Sequence, residues 1–143
     1  MFEPRVVGQR PVVASLSRLI EKGRVPNAIL FFGPEGTGKA AMALGLVRWF
    51  YCQDCQKGGI RACGNCRGCR KTASLNHPDF SLLFPFSSRI GEEAERFILK
   101  QVVKDPYSYP LPANNALISM EKIRKLRRQF SYGSFEGKWR TVV

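Results

Sequence analysis

No long hydrophobic run occurs in the 143 residues of this sequence. A membrane-spanning helix needs roughly 20 apolar residues, and the first residues alternate charge, proline and glycine instead of forming the apolar segment of a signal peptide. Both absences predict a cytoplasmic protein with no membrane contact. The apolar share of 44% and the charged share of 24% are ordinary for a globular chain, which excludes wholesale disorder and a fibrous repeat.

Acidic residues are scarce, because 11 Asp and Glu face 23 Lys and Arg and leave a formal net charge of +12. Lysine and arginine bind a polyanion such as DNA by releasing its counterions. The excess is concentrated in residues 63–71 and 122–128. The same residues also suit a solvated helix face and a charge-compensated metal site, so charge alone leaves a nucleic-acid contact by this segment open.

Cysteine is absent outside residues 52–69, where all five cysteines lie. Disulfides in a secreted chain would be spread out, whereas clustering in a cytoplasmic chain indicates a metal site. Cys63, Cys66 and Cys69 are separated by two residues each, and Cys52 or Cys55 can supply a fourth sulfur. This pattern predicts a structural zinc site with four thiolate ligands and no open position for water.

Two other interpretations of the cysteines are a flexible loop with reduced thiols and a redox dithiol. Thiols in a polar loop are unusual because free cysteine is mostly buried, and a redox pair would need a strand-to-helix setting. His77 can compete as a ligand, although its sequence context predicts the turn into a strand. Basic residues able to offset the thiolate charge are Lys57, Arg61, Arg67, Arg70 and Lys71.

A glycine-rich segment at residues 33–39 matches the phosphate-loop pattern G-x-x-x-x-G-K, between an apolar run and a predicted helix. Glycines let backbone amides turn toward phosphates, and the lysine reaches the outer phosphates. The candidate nucleotide-binding residues are Gly33, Gly36, Thr37, Gly38 and Lys39.

The position after Lys39 is Ala40, where the motif places a serine or threonine hydroxyl that binds magnesium. Ala41 cannot replace that hydroxyl, and Thr37 lies inside the turn. No apolar run ending in paired acidic residues is found either, so this segment is not expected to hydrolyse ATP. Two alternatives stay open, namely weak binding of ATP or ADP without magnesium and a loop that has lost the nucleotide.

Periodicity and turn residues predict an α/β fold. The apolar run at 28–32 does not alternate, which indicates a strand buried on both faces of a parallel sheet. An amphipathic helix within residues 6–22 ends at Gly23, with a core stripe of Val12, Val13, Leu16, Leu19 and Ile20. Further predictions are helices at 39–51, 92–104 and 120–130, the last capped by Ser119, strands at 80–84 and 138–143, and an irregular loop at 105–114. Because the last strand ends with the sequence, we expect a fragment of a longer protein.

The chain resembles the delta-prime and gamma/tau subunits of the bacterial DNA polymerase III clamp loader. The segments that carry the resemblance, in order, are Val7-Gly8-Gln9, residues 23–28, the loop at 33–39, the cysteine cluster, His77-Pro78-Asp79, Ile118-Ser119 and residues 135–138. Residues 86–117 fall outside it, and residues 87–115 are interpreted as a family-variable insertion. The resemblance implies that residues 1–143 are the amino-terminal part of an AAA+ P-loop domain of parallel-sheet type, with a zinc-binding insert at 52–69.

By the same resemblance, the zinc ligands are Cys52, Cys63, Cys66 and Cys69, although the spacer between Cys52 and Cys63 is longer than usual. Asn27 stands where the family commonly has histidine. Ala40 favours delta-prime, whose loop is often altered, over gamma/tau, which hydrolyses ATP.

The implied function is that of a delta-prime subunit of a DNA polymerase complex. With gamma/tau and delta, such a subunit helps to load the sliding clamp onto primed DNA, as a stator that completes a neighbour's ATP site without catalysing hydrolysis itself. The alternatives are a gamma/tau-like ATPase motor subunit of the same complex and a zinc-ribbon module that binds nucleic acid.

Overall fold

The computed structural model describes residues 6–55, 62–108 and 115–143 and divides into two compact units, Met1–Arg70 and Lys71–Val143. The described helices are α1 (Arg10–Glu21), α2 (Lys39–Tyr51), α3 (Arg67–Ala73), α4 (Glu92–Lys104) and α5 (Met120–Phe130), and the strands are β1 (Phe80–Ser81) and β2 (Thr141–Val142). The boundary between the units falls within α3. No helix in the described ranges is long and apolar enough to cross a bilayer.

Helix α1 forms as predicted, but its buried stripe is narrower than the sequence indicated. Leu16 and Ile20 are buried, whereas Val12 and Leu19 are 39% and 37% exposed. The buried pair has i,i+4 spacing and therefore covers a single line along the helix. Two hydrogen bonds close the helix beyond its last residue: Gly23 N–H donates to the carbonyl of Ile20, and Arg24 N–H to that of Leu19.

The prediction of a doubly buried strand at residues 28–32 is wrong. No strand is present at this position, and Leu30 and Phe32 are 83% and 87% exposed. A strand exists only where a neighbouring strand supplies ladder hydrogen bonds, and among the described residues the paired strands are β1 and β2 alone. The segment instead has no regular secondary structure and leads into the phosphate loop.

Helix α2 has the predicted bounds and supplies most of the core of the first unit. Its buried residues are Ala41, Met42, Leu44, Leu46, Val47, Phe50 and Tyr51. Alanine and leucine are strong helix formers, and Gly38 precedes the helix as its N-cap residue. The helix thus connects the phosphate loop at one end to the cysteine cluster at the other.

In the second unit, β1 and β2 are adjacent and parallel, in the register Phe80 opposite Thr141 and Ser81 opposite Val142. Both strands lie within the predicted segments, and the parallel sheet is confirmed in this small form. The pairing continues past β1, since Leu83 N–H donates to the Val143 carbonyl over 2.7 Å.

Residues 86–117, called the excursion below, have their two ends joined by an isolated bridge. Phe86 and Leu117 exchange two backbone hydrogen bonds, of 3.2 and 2.9 Å, in an antiparallel bridge. Helix α4 lies inside this excursion and has the predicted bounds, while part of the predicted loop, residues 109–114, lies outside the described residues. Helix α5 follows, and the predicted cap is confirmed because the Ser119 hydroxyl accepts a 3.3 Å hydrogen bond from Lys122 N–H. The Lys122 ammonium then pairs with Glu95 of α4.

Candidate phosphate loop and metal centre

The phosphate loop has the backbone conformation that its glycines were predicted to permit. Gly36 and Gly38 have φ values of 75° and 82°, which only glycine adopts without strain, and Gly38 leads directly into α2. The start of a helix offers backbone N–H groups and a partial positive charge. Among the described residues no side chain caps α2, so this end of the helix is suited to an anion.

Two side chains of the loop are engaged with the loop itself. The Lys39 ammonium donates to the carbonyl oxygens of Gly33 and Pro34, over 2.9 and 2.6 Å. The Thr37 hydroxyl donates to the Pro34 carbonyl over 2.8 Å, and the Gln9 amide donates to the Thr37 carbonyl over 3.3 Å. Thr37 therefore closes the turn, as its position in the sequence indicated, and Lys39 would have to leave these carbonyls to reach a phosphate.

A cleft of about 450 Å³ lies against the loop in the first unit. Four of the five candidate nucleotide-binding residues, Gly33, Thr37, Gly38 and Lys39, line it, and Gly36 does not. Apolar side chains from α1, α2 and the segment at 28–32 complete the wall, namely Val12, Leu30, Phe31, Phe32 and Met42. The geometry combines a cationic, amide-rich edge with an apolar wall.

The position that a magnesium-binding hydroxyl would occupy is a methyl group in this chain. Ala40 follows Lys39 in the first turn of α2, and Ala41 beside it is buried. Neither residue can donate an oxygen ligand to a hard cation. The loop therefore retains its shape without the side chain that binds the metal in P-loop enzymes.

The cysteine cluster is formed by four sulfur atoms. The Sγ atoms of Cys52, Cys63, Cys66 and Cys69 all lie within 4.8 Å of one another, and those of Cys52 and Cys66 are 4.0 Å apart. A tetrahedral zinc site with Zn–S bonds of about 2.3 Å requires sulfur atoms about 3.8 Å apart. The arrangement therefore fits a four-thiolate metal ion with little movement.

Backbone N–H groups point at the sulfur atoms and set their positions. Cys63 N–H donates to Cys52 Sγ (3.2 Å), Cys66 N–H to Cys63 Sγ (3.3 Å) and Cys69 N–H to Cys66 Sγ (3.4 Å). Gln53 N–H also donates to Cys66 Sγ, over 3.5 Å. Such bonds stabilise thiolates and hold them in the direction of a metal.

The thiols differ in acidity for identifiable reasons. Burial acts to raise the pKa of Cys52, but hydrogen bonds, above all from the N–H groups of Cys63 and Cys55, outweigh it and lower that pKa to about 6. The same competition, with N–H donors from Cys69 and Gln53, lowers the pKa of Cys66. Burial raises the pKa of Cys69 and brings that of Cys55 to about 12. A bound divalent cation would favour the thiolate at each of its ligands.

Of the two candidates for the fourth ligand, Cys52 belongs to the group of four sulfur atoms and Cys55 does not. Cys55 is instead 4% exposed and packs in a buried cluster with Cys52, Cys69 and Ala62, against which Trp49 lies. Of the basic residues expected to offset the thiolate charge, Lys57 and Arg61 lie outside the described residues. The Lys71 ammonium pairs with Glu136 in the second unit, at 2.6 Å from Oε2.

Gly68 brings two elements into direct contact beside the cluster. A Cβ atom at this position would overlap the carbonyl oxygen of Tyr51 and lie 2.9 Å from its carbonyl carbon. The absent side chain therefore lets α3 begin against the end of α2, with Cys69 and Cys52 on the two segments. Sequence reasoning identified the cysteines but missed helix α3, which is only seven residues long.

The His77-Pro78-Asp79 motif is structural in the second unit. His77 is buried and accepts a 3.2 Å hydrogen bond from Asp79 N–H at Nδ1, and it is not part of the metal-ligand group. Burial lowers the pKa of this imidazole, although Asp79 opposes the effect. The predicted role as a turn into the strand is confirmed, since Phe80 N–H donates to the His77 carbonyl at the start of β1.

Asp79 is the residue whose importance the sequence did not reveal. It is 1% exposed, and its carboxylate accepts hydrogen bonds from the backbone N–H groups of Phe135, Glu136 and Gly137, over 2.8, 2.8 and 3.0 Å. Arg140 Nη2 donates to the same carboxylate over 3.2 Å. The motif thus anchors residues 135–137. The only hint of this contact in the sequence was that both segments are among those that carry the resemblance to the clamp-loader family.

Comparison with known proteins places these features in a family. A family model described as the DNA polymerase III delta subunit matches residues 8–143. The delta' subunit of Bacillus subtilis is 43% identical over 77 residues, covering 54% of this chain and 22% of that protein. The delta' subunit of Escherichia coli is 32% identical over 95 residues, covering 65% and 28% respectively. The gamma/tau subunit of Mycobacterium tuberculosis is 42% identical over 64 residues, covering 45% and 11%.

The helices and the small parallel sheet define an α/β protein that agrees with part of an AAA+ domain. The chain belongs to the delta-prime family of DNA polymerase III clamp-loader subunits. The matched segments span less than a third of the length of these relatives.

Proposed function

We propose that this chain acts in DNA replication as the delta-prime subunit of a clamp loader, without hydrolysing ATP itself. Its partners would be gamma/tau and delta subunits, together with the sliding clamp and primed DNA that the complex brings together in the cytoplasm. Membership of the family supports the replication role, and the phosphate loop supports the division of labour within it.

The observation that carries the proposal is a well-formed loop without its magnesium ligand. Ala40 lies where P-loop enzymes have a hydroxyl, Thr37 is bonded to Pro34, and Lys39 is bonded to two loop carbonyls. Phosphoryl transfer depends on a metal that bridges the outer phosphates and neutralises their charge. A subunit with this loop is suited to support the ATPases of a ring without hydrolysing ATP itself. Nucleotide would bind weakly or not at all at Gly33, Gly36, Thr37, Gly38 and Lys39.

We further assign zinc to the four-cysteine cluster, as a structural metal within an insert at residues 52–69. All four coordination positions would be taken by protein thiolates, so no position is left for a reacting water. The ion would connect the end of α2, at Cys52, to the turn and helix that carry Cys63, Cys66 and Cys69. Segments with so few apolar side chains depend on such a cross-link for order.

A gamma/tau-like motor is the second candidate, because the M. tuberculosis gamma/tau subunit matches over residues that cover 45% of this chain. Ala40 argues against it, since a motor needs the metal at each turnover. The two candidates differ in one measurable property, the effect of magnesium on nucleotide binding.

The test is calorimetric titration of the full chain with ADP and ATP, with and without magnesium, alongside a phosphate-release assay. We expect no turnover, and any binding to be unchanged by magnesium within about twofold. In the Ala40→Ser variant, which restores the hydroxyl, magnesium should strengthen any binding by about tenfold, or about 1.4 kcal/mol. Lys39→Ala serves as the control that abolishes phosphate binding. Magnesium-dependent tight binding with turnover by the unaltered chain would establish the motor instead.

A further inference from the structure

The second unit has a cleft of its own, formed by residues of α4, α5, β1 and the segments that flank β1. Its volume is about 340 Å³, near the lower end of the range of about 300–1,000 Å³ that is typical of ligand sites. The side chains that give the cleft its apolar lining, and the name leucine cleft used below, are all only partly buried: Leu75, Leu82, Leu83, Leu99 and Leu126. The space suits a few side chains of a ligand and is too small for a folded domain.

The leucine cleft is positively charged. Arg96, Lys122 and Lys125 line it, and no described carboxylate does. Lys122 is neutralised by its ion pair with Glu95. Arg96 and Lys125 are exposed, and within residues 62–108 and 115–143 neither forms an ion pair. A complementary ligand therefore combines apolar groups with negative charge.

Backbone groups of the strand edge are also available in this cleft. Leu83 N–H donates to the Val143 carbonyl, so the backbone groups of Leu83 face β2. Neighbouring residues of a strand direct these groups to opposite edges, and those of Leu82 therefore face away from β2. Leu82 has no hydrogen-bond partner among the described residues, and pairing on its edge occurs only at Phe86, which bonds with Leu117. The cleft thus offers an unpaired N–H and carbonyl beside its apolar lining.

The backbone at Leu75 is strained. Of the described residues other than glycine, Leu75 alone has a positive φ, of 58°. It lies in the turn after α3, where its N–H donates to the Thr72 carbonyl over 3.2 Å and Asn76 N–H donates to the Lys71 carbonyl over 2.9 Å. Glycine is the residue preferred at such a helix end. Strained residues occur most often where a ligand is held, and the Leu75 side chain lines the cleft.

We propose that the leucine cleft binds an extended acidic segment of a partner protein, which pairs with the backbone of β1 at Leu82. Apolar side chains of the segment would contact the leucines, and its Asp or Glu residues would pair with Arg96 and Lys125. In this mode of recognition the backbone hydrogen bonds supply affinity and the side-chain pockets supply specificity. The inference depends neither on nucleotide at the phosphate loop nor on zinc at the cysteine cluster.

A library of random peptides displayed on phage, selected against the immobilised full chain, is the first test. We expect enrichment of sequences that place Asp or Glu beside apolar residues. Fluorescence anisotropy with a labelled peptide from the enriched set then measures the affinity. Failure to enrich any sequence, or enrichment of basic sequences, would overturn the proposal.

Charge reversal tests the two cations of the cleft. The double variant Arg96→Glu with Lys125→Glu should bind the peptide at least about tenfold more weakly. Lys100→Glu with Arg127→Glu is the matched control, because it makes the same change of charge on the same two helices at residues that do not line the cleft. The control should stay within about twofold of the unaltered chain. Equal losses in the two double variants would show attraction by overall charge and overturn the site.

Leu75→Gly separates binding from folding. The affinity for the peptide should fall about tenfold, because an apolar contact is lost. The midpoint of thermal unfolding should be unchanged or higher, since glycine adopts a positive φ without strain. A variant that retains the full affinity would contradict the proposal.

Methylation of single backbone nitrogens of the peptide tests the pairing with Leu82. It should abolish binding at the paired position and be tolerated at the two adjacent positions, whose N–H groups point away from β1. Binding that tolerates methylation at every position would exclude the backbone pairing.

Two other occupants are outcomes of the same measurements. Labelled primed DNA that displaces the peptide and depends equally on Arg96 and Lys125 would identify a nucleic-acid surface. Self-association of the unaltered chain that is lost in Leu75→Gly, measured by sedimentation, would identify a second copy of the chain. Either result would overturn the proposal of an acidic segment.

Discussion

Asp79 shows how one buried carboxylate can determine the course of a distant segment. It accepts three backbone N–H groups and one guanidinium N–H from residues 56 to 61 positions away. Arg140 extends the contact, because its guanidinium also donates to the carbonyls of Tyr132 and Gly133 over 3.2 and 2.9 Å. The turn between α5 and β2 is therefore held by side-chain hydrogen bonds.

Asp79→Ala should lower the free energy of unfolding by about 3–5 kcal/mol, because Arg140 would lose its buried partner. Chemical denaturation measures the change. Glu136→Gln is the matched control, since its partner Lys71 is more exposed, and it should cost less than about 1 kcal/mol. Equal losses for both variants would show that the buried carboxylate has no special role.

The same residue predicts a dependence on pH. Burial acts to raise the pKa of the Asp79 carboxyl, but its hydrogen bonds from Glu136, Phe135, Gly137 and Arg140 outweigh this and lower it. A folded pKa below the unfolded value of about 3.9 gives stability that is fully present above that value and is lost as pH falls through the folded pKa. In Asp79→Asn, the free energy of unfolding should therefore fall less steeply as the pH is lowered through the acid range. If the fall is as steep as in the unaltered chain, other carboxylates cause it.

At the level of elements, the sequence predicted what local chemistry determines. Helices α2, α4 and α5 have the predicted bounds because their signals are local: helix propensity in α2, an acidic first turn in α4, and an acidic first turn with the Ser119 cap in α5. The strand at 28–32 was wrong because a strand depends on partners elsewhere in the chain. Helix α3 was missed because seven residues give no measurable periodicity, and its position depends on the cysteine cluster.

The contact between α2 and α3 can be tested at Gly68. Gly68→Ala should destabilise the first unit by about 1–3 kcal/mol and speed metal release, because the new methyl group must displace the Tyr51 carbonyl. Gly133→Ala is the control, since its Cβ would meet nothing within 4 Å and its φ lies outside the left-handed region. Chemical denaturation measures the free energy of unfolding of both variants. A Gly68→Ala protein as stable as the unaltered chain would contradict the close approach of Gly68 to the Tyr51 carbonyl.

For the molecule as a whole, the candidate metal site could be predicted from spacing alone, but the choice of Cys52 over Cys55 could not. Sequence spacing limits which thiols can meet, whereas their distances depend on how α2 ends and α3 begins. In the same way, the loop pattern predicted the turn at 33–39, and only the structure revealed that Lys39 and Thr37 bind the loop itself.

Two tryptophans allow the metal's effect to be located. Trp49 packs against the cysteine cluster, while Trp139 lies in the second unit and is 40% exposed. In Trp139→Phe, removal of zinc with a strong chelator should shift the remaining emission to longer wavelength as Trp49 gains water. In Trp49→Phe, the emission of Trp139 should not follow the metal. If elemental analysis shows that the zinc has been removed and the emission of Trp49 has not shifted, a structural role for the metal is contradicted.

The bridge between Phe86 and Leu117 gives the excursion at 86–117 a closed stem. The conformational entropy lost when the two ends of a loop are joined grows only with the logarithm of the loop's length, and costs about 0.6 kcal/mol per doubling. A change of length between the two ends therefore adds little to the cost of closure, as long as α4 keeps its buried Val102 and Val103 and its ion pair from Glu95 to Lys122.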